Sequence, residues 1–164
     1  MAQTKISFEQ FMESVDEDNK PFVDELHKYL LEKGCKVNFE EKKNGFLASY
    51  KIGKPQRALL NFAFRKKGMH TRIYGERISG YADFLNTLPS EMLNAIQNSS
   101  ICKRLVHNTC SPKCIGYDFI IGDEHFQKCR YGCFEFLMTS ESKPHIHDFI
   151  EHEIMERLSA QAPK

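Results

Sequence analysis

The stretch Cys35-Lys36-Val37-Asn38-Phe39-Glu40-Glu41-Lys42-Lys43-Asn44-Gly45-Phe46-Leu47-Ala48-Ser49-Tyr50-Lys51-Ile52 decides the fold class. Cys35, Val37 and Phe39 alternate with Lys36, Asn38 and Glu40, and Phe46, Ala48, Tyr50 and Ile52 continue the alternation beyond Asn44-Gly45. Successive side chains of a strand point to opposite faces, so a period of two marks a strand with one apolar face. Asn-Gly accepts the positive φ of a tight hairpin turn and places the reversal between the two runs. Gly53-Lys54-Pro55 marks the next turn, and Leu60, Phe62 and Phe64 give a third strand face. Lys67-Gly68 then leads into a fourth, with Met69, Thr71 and Ile73. Consecutive strands with short turns predict an α+β fold: a four-stranded antiparallel meander whose apolar face is covered by helices.

The flanking sequence supplies those helices. Ser7 and Gln10 form a capping-box pattern ahead of Phe11 and Met12, and Asp16-Glu17-Asp18-Asn19 breaks the run. Pro21 opens a better helix, with Val23, Leu26, Tyr29 and Leu30 at helical spacing and Gly34 as its stop. The helical period returns at Ser79 with Tyr81, Phe84, Leu85 and Leu88, and again after Pro89 with Met92, Leu93 and Ile96. Gly116 to Ile121 and His125 to Lys128 read as a small hairpin turning at Gly122-Asp123, followed by a helix over Tyr131 to Met138. Pro144 opens a last helix with Ile146, Phe149, Ile150, Ile154 and Leu158 facing inward, and Ser159 to Lys164 should fray. With no repeat and no linker, residues 1–164 form a single domain. A helix-plus-sheet core spans 1–100, and a cysteine-rich section of hairpin and helices spans 101–164.

A net charge of +1 argues against a protein that holds nucleic acid mainly through its phosphates. No run approaches the length of a membrane span, and Met1 to Val15 has no signal-peptide core, so the expected location is the cytoplasm, with no membrane partner. There, clustered cysteines are metal ligands or redox groups more often than structural disulfides.

Five of the six cysteines fall between Cys102 and Cys133, and four form matched pairs, Cys110-x3-Cys114 and Cys129-x3-Cys133. Two close pairs separated by a short insert suit a tetrathiolate zinc site, because each pair brings two sulfurs from one turn. In a helical turn, residues i and i+4 lie on the same side. Cys102, His107 and His125 are near enough to replace a member of the quartet. Redox chemistry at the same pairs is the competing reading, helped by Lys128 and Arg130, which would lower a thiolate pKa; plain packing is the third. Four thiolates leave no open position for water or substrate, so the expected zinc is structural.

Elsewhere, His145, His147 and His152 around Asp148 look like a metal cluster, but on a helix His145, Asp148 and His152 share one polar face opposite Ile146 and Ile150, as a solvated face would. The second face of the sheet carries Lys51, Asn61, Arg65, His70 and Arg72, which could hold an anionic ligand or a stretch of nucleic acid, though such faces are usually just solvated; an enzyme using this face would show a polar pocket around Arg65 and Arg72. Tyr50, Phe62 and Phe64 belong to the apolar face. No phosphate-binding glycine loop and no nucleophile elbow occur, so no residue is assigned a catalytic role.

From Val23 to Ile73 the chain resembles the YdhG-type families of small bacterial proteins. The likeness rests on Glu32-Lys33-Gly34, on Tyr50 before Gly53-Lys54-Pro55, and on Leu60 through Gly68 in place of that family's aromatic strand and turn. The resemblance implies an α+β fold with an antiparallel sheet. Some members are described as frataxin-like iron chaperones, but this chain has no matching acidic ridge. Along its length it also resembles small cysteine-containing proteins of anaerobic low-GC Gram-positive bacteria. These share runs like Phe64-Arg65-Lys66-Lys67-Gly68, Arg72-Ile73-Tyr74-Gly75 and Lys128-Cys129-Arg130-Tyr131. That resemblance implies no activity. The expectation is a small cytoplasmic protein with a structural zinc, acting as a non-catalytic binding or accessory module. The alternative is metal handling or thiol redox by the same cysteines.

Overall fold

The computed structural model describes residues 6–43, 45–109, 116–130 and 132–161. Helix α1 (Phe8–Glu13) starts at the expected capping box, with the Ser7 and Gln10 side chains satisfying each other's backbone N–H. Helix α2 (Lys20–Glu32) carries Pro21 in its first turn and buries Val23, Leu26, His27 and Leu30, one stripe at helical spacing. Gly34 follows at φ 92°, a conformation costly for any residue with a Cβ, and the chain reverses into the sheet.

Strands β1 (Lys36–Lys42), β2 (Gly45–Ile52), β3 (Arg57–Arg65) and β4 (Gly68–Ile73) pair antiparallel in chain order, as the alternation predicts. Asn44, half of the expected turn, lies outside the described residues; Lys42 pairs with Gly45 across it. A bulge after Tyr50 leaves Leu59 as the extra residue of β3. After β4 come two 3₁₀ segments, Ile78–Gly80 and Ala82–Thr87, then α3 (Ser90–Asn98) and α4 (Lys103–His107). The small hairpin is β5 (Tyr117–Ile121) and β6 (Glu124–Lys128), turning through Gly122 at φ 60°.

The sheet has five strands, not four: β7 (Glu135–Leu137) pairs with β4 and closes its edge. This corrects the expected helix over residues 131–138. Phe134, Leu137 and Met138 also satisfy helical spacing, but Phe134, Phe136 and Met138 are buried while Glu135 and Leu137 are less so, a period of two. The free edge of β4, with its unpaired N–H and C=O groups, decides between the two patterns. Backbone bonds from Ile73 to Phe134 (2.8 Å) and from Met138 to Met69 (3.0 Å) extend the pairing at both ends.

Helix α5 (Ser142–Gln161) lies under the sheet with Ile146, Phe149, Ile150 and Ile154 buried. Leu158, expected inward, is 44% exposed. The buried stripe continues instead through Glu153 and Arg157, which form a polar knot with the loop after β4. The Glu153 carboxylate accepts from Tyr81 Oη (2.5 Å), Arg157 Nε (2.5 Å) and the Arg77 N–H (3.1 Å). Arg157 also donates to the Tyr74 carbonyl at 2.6 Å. Burial pushes the Glu153 carboxyl pKa up, against the pull of Arg157 and Tyr81. The expected frayed tail is helical as far as Gln161, and residues 162–164 lie outside the described residues.

Helices α1, α2 and α5 cover one sheet face. Phe11 packs on Phe39, Phe62 and Phe64; His27 on Tyr50; Phe149 on Phe134 and Phe136. Each such buried aromatic contributes about 1.5–3 kcal/mol by leaving water. The other face carries Ser49, Asn61, Arg65, His70, Arg72 and Glu135 from neighbouring strands.

Candidate functional site

Two places gather chemistry-bearing side chains. The first is the cysteine seam. Cys110 and Cys114, half of the expected quartet, lie outside the described residues; Cys129 and Cys133 lie within them. The Cys133 N–H donates to the Cys129 carbonyl at 3.1 Å, so one backbone hydrogen bond links these two residues. The turn is held from outside: Ile101 bridges Lys128, Cys102 N–H reaches Gln127 O, and Cys129 N–H reaches Ser100 O. Cys102 thereby joins the seam, with its sulfur packed against Gly116, where an added Cβ would stand only 2.2 Å from it. His107 is exposed at the end of α4, and His125 Nε2 donates across the hairpin to the Asp118 carboxylate at 2.5 Å.

All four described cysteines are free thiols. Cys133 is fully buried and burial drives its pKa far upward, outweighing a Ser99 hydrogen bond and the Lys128 charge. Cys35 is also buried, with its pKa pushed up to about 11, and belongs to the core. The cations expected to activate Cys129 are engaged elsewhere. Lys128 Nζ donates to the Gln97 and Ser99 carbonyls at 2.9 Å each, neutralising the C-terminal end of α3. Arg130 reaches Glu76 and the Tyr74 ring. Among the described residues, one trio of ligand atoms lies mutually within 4.8 Å: His147, Asp148 and Glu151 of α5, with His147 packed on the Tyr29 ring of α2. The sulfurs of Cys102, Cys129 and Cys133 do not form such a set. Of the expected polar face, His145, Asp148 and His152 line a shallow groove, where His152 lies on the Phe84 ring at 4.5 Å.

The second place is the uncovered sheet face. The strand register puts Asn61 opposite Arg72 and Ala63 opposite His70, so the residues expected there do share it. Arg65 Nη2 donates to Glu135 Oε1 at 2.9 Å, and Arg72 donates to the same oxygen through Nη2 at 3.0 Å. Burial alone would raise the Glu135 pKa, but Arg65 and Arg72 outweigh it and hold the carboxyl below its ordinary value. Glu135 escaped the sequence reading because it was assigned to a helix. The alternation Phe134-Glu135-Phe136-Leu137-Met138 is the signal that could have found it.

A cleft of about 440 Å³ opens beside these arginines, lined by Lys42, Lys43, Phe46, Leu47, Asn61, Ala63, Phe64, Arg65 and Arg72. It marks a fork in the sheet. The β2–β3 ladder begins at Ala48 with Phe62, yet β2 extends back to Gly45 and β3 forward to Arg65. Comparison with models of known protein families, with curated proteins and with solved structures finds no match.

Proposed function

We propose that this chain is a small non-catalytic binding or accessory module whose cysteine-rich section is tied together by one structural zinc on Cys110, Cys114, Cys129 and Cys133. The observation that supports this reading is the shared turn of Cys129 and Cys133, both free thiols, at the seam between α3, the β5–β6 hairpin and β7. A turn that offers two sulfurs is half of a tetrathiolate site. The dry surroundings of Cys133 suit a closed, structural ion, and zinc would deprotonate that thiol outright despite its raised pKa. The ion would fasten the hairpin to the sheet and leave no position open for substrate.

The thiols then belong in a reducing compartment, and the cytoplasm fits that requirement. Among the described residues no helix is long and apolar enough to cross a membrane. A net charge of +1 does not favour nucleic acid as the partner.

Metal analysis of untagged protein, with free-thiol titration, tests the reading. One zinc per chain is expected, lost in Cys129→Ser and in Cys114→Ser. Chelation should speed amide exchange over residues 99–133 while β1–β4 stay protected. Metal-free protein with every thiol titratable and an ordered seam would refute it.

The same turn also supports a second reading, metal handling or thiol redox, because Cys129 is partly exposed beside its buried neighbour. That reading expects labile metal, or a Cys129–Cys133 bond that forms and reopens under mild oxidant with the fold intact.

A further inference from the structure

We infer that the cleft at the fork of the sheet binds a small amphipathic organic anion, a carboxylate or phosphate carried on a flat apolar body. The inference takes up the binding-module half of the function proposed above and is independent of zinc, because the cleft is built from β2, β3, β4 and the lysines Lys42 and Lys43.

Three features converge there. The first is backbone. Gly45 is still paired to Lys42 and Arg65 to Gly68, but no ladder joins Gly45–Leu47 of β2 to the end of β3. Gly45, at φ 131°, lies close against Phe64 at one end of the cleft, where an added Cβ would stand 3.1 Å from the ring.

The second is charge. Arg65 and Arg72 share one oxygen of one carboxylate, so the trio carries one net positive charge at the cleft wall; Arg72 donates through Nε and Nη2 to Glu135, and Arg65 is the more exposed of the two. Lys42 is paired with Glu40, whereas Lys43 adds a second cation at the rim.

The third is apolar surface. Phe46, Leu47 and Ala63 line the same cavity, whose volume of about 440 Å³ suits a small molecule. An inorganic anion would gain nothing from Phe46 and Leu47. A neutral apolar ligand would gain nothing from the two guanidinium groups. Only a molecule with both parts uses the whole cleft.

The test titrates 2-naphthoate into ¹⁵N-labelled full-length protein of measured zinc content, with 2-naphthamide and inorganic phosphate as matched probes. Naphthoate should give saturable shifts at the amides of Phe46, Leu47, Asn61, Ala63 and Arg65, and bind about tenfold or more tightly than either control. Arg72→Gln should weaken naphthoate about tenfold without changing naphthamide. Arg65→Gln and Lys43→Gln, at more exposed positions, give the same readout if Arg72→Gln unfolds.

Equal affinity for naphthoate and naphthamide overturns the inference, as does phosphate binding as tightly as naphthoate. Shifts confined to other parts of the molecule also overturn it. No cleft shifts in protein that carries one zinc would refute the cleft and leave the zinc reading standing. Cleft binding in protein that holds no metal would do the reverse.

Discussion

Glu153→Gln tests the buried polar knot that replaces apolar residues on α5. The wild-type carboxylate is fully buried and meets three donors, Tyr81 Oη–H, Arg77 N–H and Arg157 Nε–H. An amide of the same size offers one acceptor oxygen instead of two and turns an NH₂ toward a guanidinium that is only 7% exposed. Leaving a buried charge without its partner costs about 3–5 kcal/mol. Arg157 keeps its bond to the Tyr74 carbonyl, which moves the expectation toward the lower end. At least one of the three donors loses its acceptor, adding about 1 kcal/mol or more. The total is about 4 kcal/mol, a fall of about 2 M in the urea midpoint for a slope of about 2 kcal/mol per M. Tyr81→Phe, which removes a single hydrogen bond to a charged group, should cost about 1.5–2 kcal/mol. Urea unfolding followed by far-UV circular dichroism measures both. A loss below about 1 kcal/mol for Glu153→Gln at unchanged slope, or a larger loss for Tyr81→Phe, would refute the reasoning.

Acid should destabilise the protein in two windows. Burial lowers the pKa of His27, against the raising effect of Asp24 and Glu9, so the unfolded chain takes up the proton first and stability falls as pH drops below 6.5. At Glu76, burial alone would raise the pKa, but Arg57, Arg157 and Arg130 outweigh it; Glu135 is likewise held low, so their contribution is complete above about 4.5 and lost as pH falls through the depressed values. Urea midpoints from pH 8 to pH 3 should show both declines, with His27→Gln abolishing the upper and Glu76→Gln with Glu135→Gln flattening the lower. Gly116→Ala should cost about 1–3 kcal/mol by overpacking, since the short Cys102 side chain cannot swing clear. Gly132→Ala, whose Cβ meets nothing within 4 Å, is the near-neutral control, and amide exchange at residues 101–102 and 127–129 should rise only in the former.

The meander was legible because its signals are local. Alternation at residues 35–39 and 46–52, the glycines at turn positions, and the covering helices before and after are each encoded within a few residues. What escaped notice is long-range. Glu135–Leu137 forms a strand only because β4 presents an edge, and Glu153 and Arg157 are buried only because Tyr81 and the Tyr74 carbonyl meet them. The cysteine pairing was read from spacing alone; residues 129 and 133 are joined by one backbone hydrogen bond ahead of β7 and not by the helix expected there. The polar residues of the open face were found by parity alone. The fork that makes a cleft of them depends on where a ladder stops, which no residue pattern announces.

The fifth strand also bears on how the chain is made. Translation delivers residues 36–73 well before residues 135–137, a gap of several seconds at ordinary elongation rates. Throughout that interval the nascent meander carries β4 as an open border, able to recruit a neighbouring chain on the same polysome. Slowing synthesis between these segments, or interrupting it there, should therefore raise the insoluble fraction more than an equal delay after residue 138.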